Sequence, residues 1–126
     1  MSEPIVFISR NRVKEGKFEE FKLLYRAGAE KLGRDKPGTV AFLAYANDAG
    51  DEISIVHVFP DADAMDRHME GVAERSKEAF GLIESAGFEI YGAPNEGVVQ
   101  MIAGSGLPVT VRPQLLGGYL RITAGK

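Results

Sequence analysis

The sequence contains no cysteine and no tryptophan. Without cysteine there can be no disulfide, thiolate nucleophile, iron–sulfur cluster or cysteine zinc site, and this fits a reducing compartment. Histidine is scarce: His57 and His68 are the only two in 126 residues. No apolar run approaches the ~20 residues that a membrane helix needs. The opening MSEPIVFISR is acidic before a short apolar run, whereas a secretory signal starts basic and continues longer. The expected location is cytoplasmic, with no membrane partner. An excess of basic residues is also lacking. The net charge is −3, and nucleic-acid binders usually carry a positive balance, so no nucleic-acid partner is expected. The charge is uneven: residues 1–36 carry net +3, residues 47–89 net −8 and the remaining tail +2. The acidic block reads as the solvated side of a helix.

The apolar content of 44% and charged content of 26% are ordinary for a globular chain. The length implies one domain, 1–126. IVFISRNRV (5–13) is β-branched and aromatic, a strand. After Gly16, Phe18, Phe21, Leu24, Tyr25, Ala29 and Leu32 recur at helical spacing. Gly33 and Pro37-Gly38 close that helix. TVAFLAYA (39–46) and EISIVHVF (52–59) form strands two and three, joined by the turn NDAGDE. Pro60 ends strand three, and Asp61 or Asp63 caps the next helix. Met65, Met69, Val72, Ser76, Phe80 and Ile83 trace one side of this helix. Gly71 or Gly81 is placed to bend or split it, and Gly87 to stop it. FEIYG (88–92) is strand four.

The order β-α-β-β-α-β predicts an α+β, ferredoxin-like core over residues 4–93, with four antiparallel strands and both helices on one side. Each strand is apolar on both faces, whereas a sheet with one wet face alternates. The second face is therefore expected to meet another copy of the chain in a homodimer. Residues 94–126 form a C-terminal extension too apolar for a disordered linker. It comprises an apolar run (98–102), a short strand (109–112) and a final strand (115–122) with a glycine bulge. It is expected to cover a sheet edge, its own or the partner's.

IVFISRNRV, the Phe- and Glu-rich helix, PGTVAFLAY and EISIVHVFPDADAMDRHM together resemble the dimeric α/β-barrel superfamily of antibiotic-biosynthesis-type monooxygenases. The resemblance spans residues 4 to about 92. It implies a pocket between helices and sheet in each subunit, and oxidation of anthrone- or quinol-type aromatics without metal or flavin. Haem-degrading relatives pair an Asn on strand one with a Trp at the end of strand three. Asn11 and Phe59 occupy those positions here, so the Trp is missing. Nor does any His fall near Arg75–Lys77, where those relatives carry their haem ligand.

Period-two alternation puts Ser9 and Asn11 on one face with Ile5 and Phe7, and His57 and Phe59 on one face with Ile53 and Ile55. His57 points either into the pocket, which a shared face with Asn11 favours, or into the dimer interface. His68 is either a packed, singly bonded imidazole or dimer contact, or a base at the pocket mouth, since an ordinary pKa near ~6.5 suits proton transfer at neutral pH. Asn11 either caps a loop or donates to an oxyanion. These three are the candidate catalytic residues; Phe59, Tyr25, Met65 and Met69 are candidate contacts to an apolar or aromatic ligand. A metal would need the aspartates around His57 and His68 to fold back as ligands, but capping already engages them. No metal or cofactor is expected. The leading function is a cofactor-independent monooxygenase on a phenolic, anthrone- or quinol-like aromatic. The alternatives are a non-catalytic binding or structural dimeric module, and a cyclase, isomerase or decarboxylase.

Overall fold

A computed structural model describes residues 3–121 of the chain. Five strands carry the architecture: β1 (Ile5–Val13), β2 (Ala41–Ala46), β3 (Glu52–Phe59), β4 (Ile83–Tyr91) and β5 (Val109–Arg112). They form one sheet in the order β2-β3-β1-β4-β5. The first four pair antiparallel, as a ferredoxin-like core requires, and β5 joins β4 in parallel. The described helices are α1 (Phe18–Asp35), α2 (Ala62–Met69), α3 (Val72–Ser76) and α4 (Glu96–Ala103), with a 3-10 turn at Ala79–Gly81.

The register across the sheet matters most for the site. Phe42 of β2, His57 of β3, Phe7 of β1 and Ile90 of β4 are successive cross-strand partners. They form one lateral row of side chains, the unit of sheet stabilisation. Phe7 and Ile90 of this row join a core with Ile5, Phe59, Ala64, Met65, Val98 and Ile102. A second cluster, Phe21, Ile53, Leu82 and Ile83, pins α1 to the other end of the sheet. On the opposite face Leu43 and Tyr45 are exposed, and Val6, Ile8, Val56 and Val58 are half-buried.

Three expectations are corrected. The second helix does not run to Ile83. Of the two glycines placed to split it, Gly71 does so: it adopts φ +77° and ends the helix after about two turns, since that left-handed conformation suits glycine. Strand four consequently starts at Ile83, and Gly87 lies inside it. A Cβ there would stand 3.1 Å from the Pro108 carbonyl oxygen, which accepts from the Phe88 N–H at 2.9 Å. Gly87 thus admits the tail to the sheet edge. In the tail, 98–102 belongs to a helix, with Val98 and Ile102 buried one turn apart. No strand forms over 115–121, and residue 122 of that expected strand lies outside the described residues. The strand at 109–112 covers the chain's own β4 edge.

Phe59 is fully buried in this core. Phe59→Ala should cost about 3–5 kcal/mol of stability, read by urea denaturation, whereas Phe80→Ala, half-exposed, should cost far less.

Candidate active site

The sheet's covered face and the helices do not meet everywhere. Between them lies a cavity of about 640 Å³. β1–β4 form its floor, α1 one wall, and α2, α3 and the 3-10 turn the other. Met101, Ile102 and Ser105, in and just after α4, close one side. Its surface is mostly apolar, as small-molecule sites generally are.

His57 faces this cavity, not the outer face. Period two on β3 puts it there, and Phe42 and Phe7 flank it at 5.2 and 5.0 Å between ring centres. Its Nδ1 lies 3.0 Å from the Phe7 carbonyl oxygen. A carbonyl only accepts, so Nδ1 carries the proton, and Nε2 holds the lone pair of the neutral ring. His68 reaches the same place from α2. Asp61 starts that helix by accepting from the Ala64 N–H at 2.7 Å. Seven residues on, His68 points inward, its ring edge-on to His57 at 5.2 Å. Its Nδ1 lies 2.8 Å from the Thr39 hydroxyl.

Both imidazoles are buried. Burial is the main reason that the pKa of His57 falls to about 4, against the opposing carbonyl bonds of Phe7 and Ile55. Burial likewise lowers His68 to about 3, and His57, Arg75 and Lys36 push the same way. Both rings are therefore neutral at pH 7 and hold a lone pair beside a mostly apolar cavity.

Asn11 also lines the cavity, but not beside the histidines. Phe7 is opposite His57 in the ladder, and Asn11 is four residues further along β1, about 13 Å away. A bulge where β4 skips Ala86, between the partners of Arg10 and Asn11, sets Asn11 opposite Ser85. Its Nδ2 donates to the carbonyl and hydroxyl oxygens of Ser9 at 3.2 and 3.3 Å. The cavity thus has a histidine end and an amide end, and one reacting atom cannot touch both.

Among the expected ligand contacts, Tyr25 and Met69 line the cavity. Phe59 and Met65 do not: both are fully buried behind it, and the Phe59 ring packs 5.3 Å from His68. The aspartates of the window are engaged elsewhere. Asp61 caps α2, while Asp63 and Asp66 accept from Asn95 Nδ2 at 3.1 and 2.7 Å. Among the described residues, no three His, Asp or Glu side chains gather as a metal ion would need. The sequence pointed neither to Phe42 nor to Arg75 at the rim. Cross-strand register places the first, and the break at Gly71 the second.

A family model for antibiotic biosynthesis monooxygenases matches residues 4–77, more than half of the chain. The chain belongs to the antibiotic biosynthesis monooxygenase family. Solved structures of low identity share its fold. MupZ from Pseudomonas fluorescens is 22% identical, with a TM-score of 0.74 over 94% of this chain and 91% of that one. SnoaB from Streptomyces nogalater, a cofactor-independent oxygenase, is 22% identical, with a TM-score of 0.61 over 75% of this chain and 96% of its own. Rv0793 from Mycobacterium tuberculosis is 16% identical, with a TM-score of 0.60 over 75% and 98%. No curated protein sequence matches the chain. Within this family fold, the histidine pair and the α4 wall are the features that define the cavity here.

The lowered pKa values tie the site to stability. An unfolded histidine titrates near 6.5, so between about pH 6.5 and 4 the unfolded chain binds more protons than the folded one. Stability must then fall as pH falls, by up to about 1.4 kcal/mol per pH unit for each histidine. Denaturant midpoints between pH 6.5 and 5 should show this slope, made shallower by His57→Gln and by His68→Gln. Equal slopes in all three proteins would contradict the burial of neutral rings.

Proposed function

We propose that the chain is a cofactor-independent monooxygenase acting on a phenolic, anthrone- or quinol-like aromatic. The observation that carries this reading is the pair of neutral imidazoles facing each other inside an apolar, aromatic-walled cavity. An aromatic ring system fills the space beside Phe42, Tyr25 and Phe7. His57 Nε2, the nitrogen not held by the sheet, takes the acidic proton, and His68 is placed to share it. An imidazolium alone is unfavourable in so dry a site. Formed beside an aromatic oxyanion, it becomes half of an ion pair, and proton transfer is then matched to substrate binding. The electron-rich anion reacts with oxygen directly. For an anthrone, the ring CH2 becomes a carbonyl, one oxygen atom enters the product and the other leaves as water. The substrate supplies all four electrons. Asn11 and Ser85, at the far end, contact the distal ring of an extended substrate.

Family membership and the fold shared with SnoaB, a cofactor-independent oxygenase, support this reading. A second reading rests on the same site: two neutral imidazoles in an apolar cavity also suit proton transfer without oxygen, in an isomerase, cyclase or decarboxylase, or a ligand held without turnover.

Oxygen uptake with anthrone as probe should exceed the autoxidation background. His57→Ala and His68→Ala should each lower the enzymatic rate about 100-fold or more. Uptake unchanged in both variants removes the mechanism, and product formed equally well without oxygen selects the second reading.

The half-buried apolar outer face supports a homodimer closed through its sheets. Sedimentation at micromolar concentration should give twice the chain mass, and Leu43→Asp with Tyr45→Asp should shift it to monomer. A wild-type monomer would contradict the dimer.

A further inference from the structure

The histidine end of the cavity contains two side chains with donor capacity to spare, Tyr25 and Arg75. The Tyr25 hydroxyl is buried without a hydrogen-bond partner among the described residues. Its ring stacks on Phe42 at 5.1 Å, and Phe42 in turn packs 5.2 and 5.7 Å from His57 and His68. Burial raises the Tyr25 pKa, so the hydroxyl keeps its proton and remains a donor. Arg75 stands at the rim of the same end. It donates to the main-chain carbonyls of Glu70 and His68, both at 2.5 Å. These two bonds fix the guanidinium against the end of α2, leaving N–H groups of its five free.

The charges lining the cavity do not balance. They come from Lys31, Asp35 and Arg75. Lys31 and Asp35 pair with each other, while Arg75 forms no ion pair among the described residues. The histidine end is thus apolar, carries one uncompensated cation and holds a buried donor.

We propose that this end binds an anionic oxygen of the ligand, with Arg75 as its anchor and Tyr25 donating beside it. The inference deepens the oxygenase reading and rests on its assignment of the cavity as the ligand site. The anionic oxygen is either a carboxylate that the ligand carries throughout or the phenolate that forms when a histidine takes the proton. In both cases Arg75 does what Asn11, about 13 Å along β1, cannot do at the histidine end.

The test uses three probes on the intact protein: 2-naphthoate, its neutral methyl ester, and 2-naphthol, whose ionised form has its own absorbance band. Fluorescence titration should show 2-naphthoate binding at least about tenfold more tightly than the ester, or the 2-naphthol pKa should fall by at least about one unit on binding. The first result identifies a carboxylate ligand, the second a phenolate. Arg75→Gln should abolish the preference and leave ester binding unchanged, Arg75→Lys should restore part of it, and Tyr25→Phe should reduce it. The acid-to-ester ratio is internal to each variant, so a loss of helix capping in Arg75→Gln does not imitate the effect. Equal binding of acid and ester together with an unshifted naphthol, or a preference unchanged in Arg75→Gln, overturns the proposal while leaving the oxygenase reading intact. A preference without oxygen uptake sinks only the oxygenase reading. No binding by any probe sinks both.

Discussion

Two imidazoles buried side by side can coexist only if neither carries a proton too many. One like charge in so apolar a space is costly, and two are costlier. The sheet solves half of this by giving the Phe7 carbonyl to His57 Nδ1, and Thr39 solves the other half at His68. Each ring keeps one satisfied nitrogen, which leaves its other nitrogen available for chemistry in a dry pocket. The rest of the site follows from holding those two rings in place.

The supports can be traced outward. Phe42 and Phe7 flank His57 because three strands share one register. His68 arrives from α2 because Asp61 starts that helix two residues after β3 ends. Gly71 breaks the chain in a left-handed turn, which turns α3 and Arg75 to the rim. Gly87 lets Pro108 approach, and the tail then brings α4 over the open side. A Cβ at position 87 would crowd the Pro108 carbonyl oxygen at 3.1 Å, so the tail would have to shift by a few tenths of an ångström to stay on its edge.

Much of this was legible in the sequence. Strand alternation grouped His57 with Ile53, Ile55 and Phe59 and Asn11 with Ile5, Phe7 and Ser9, and left open whether the His57 face met the helices or a second copy; the order of six elements implied the ferredoxin-like core. The cap was visible as one of two aspartates after Pro60, Asp61 or Asp63, and the structure uses Asp61. The failures have physical causes. Ile83 continued the helical spacing of Met65 and Met69, and Gly71 and Gly81 both stood as places for a break; the left-handed backbone at Gly71 shows which of them ends the helix. The run 98–102 was apolar but too short for periodicity to choose between strand and helix. Phe59 and Met65 share faces with true cavity residues, and depth within a layer is not a property of spacing. The distance between Asn11 and the histidines follows from the ladder, so it could not be read from either residue's neighbours.

The most direct test of the account is the protonation state of the two rings. Nitrogen-15 NMR of the protein labelled at histidine reports the state of each ring nitrogen as pH is lowered. The account predicts two neutral rings at pH 5.5, with the proton of His57 on Nδ1. Either ring titrating near ~6.5, the ordinary value, or His57 protonated on Nε2 instead, would contradict it.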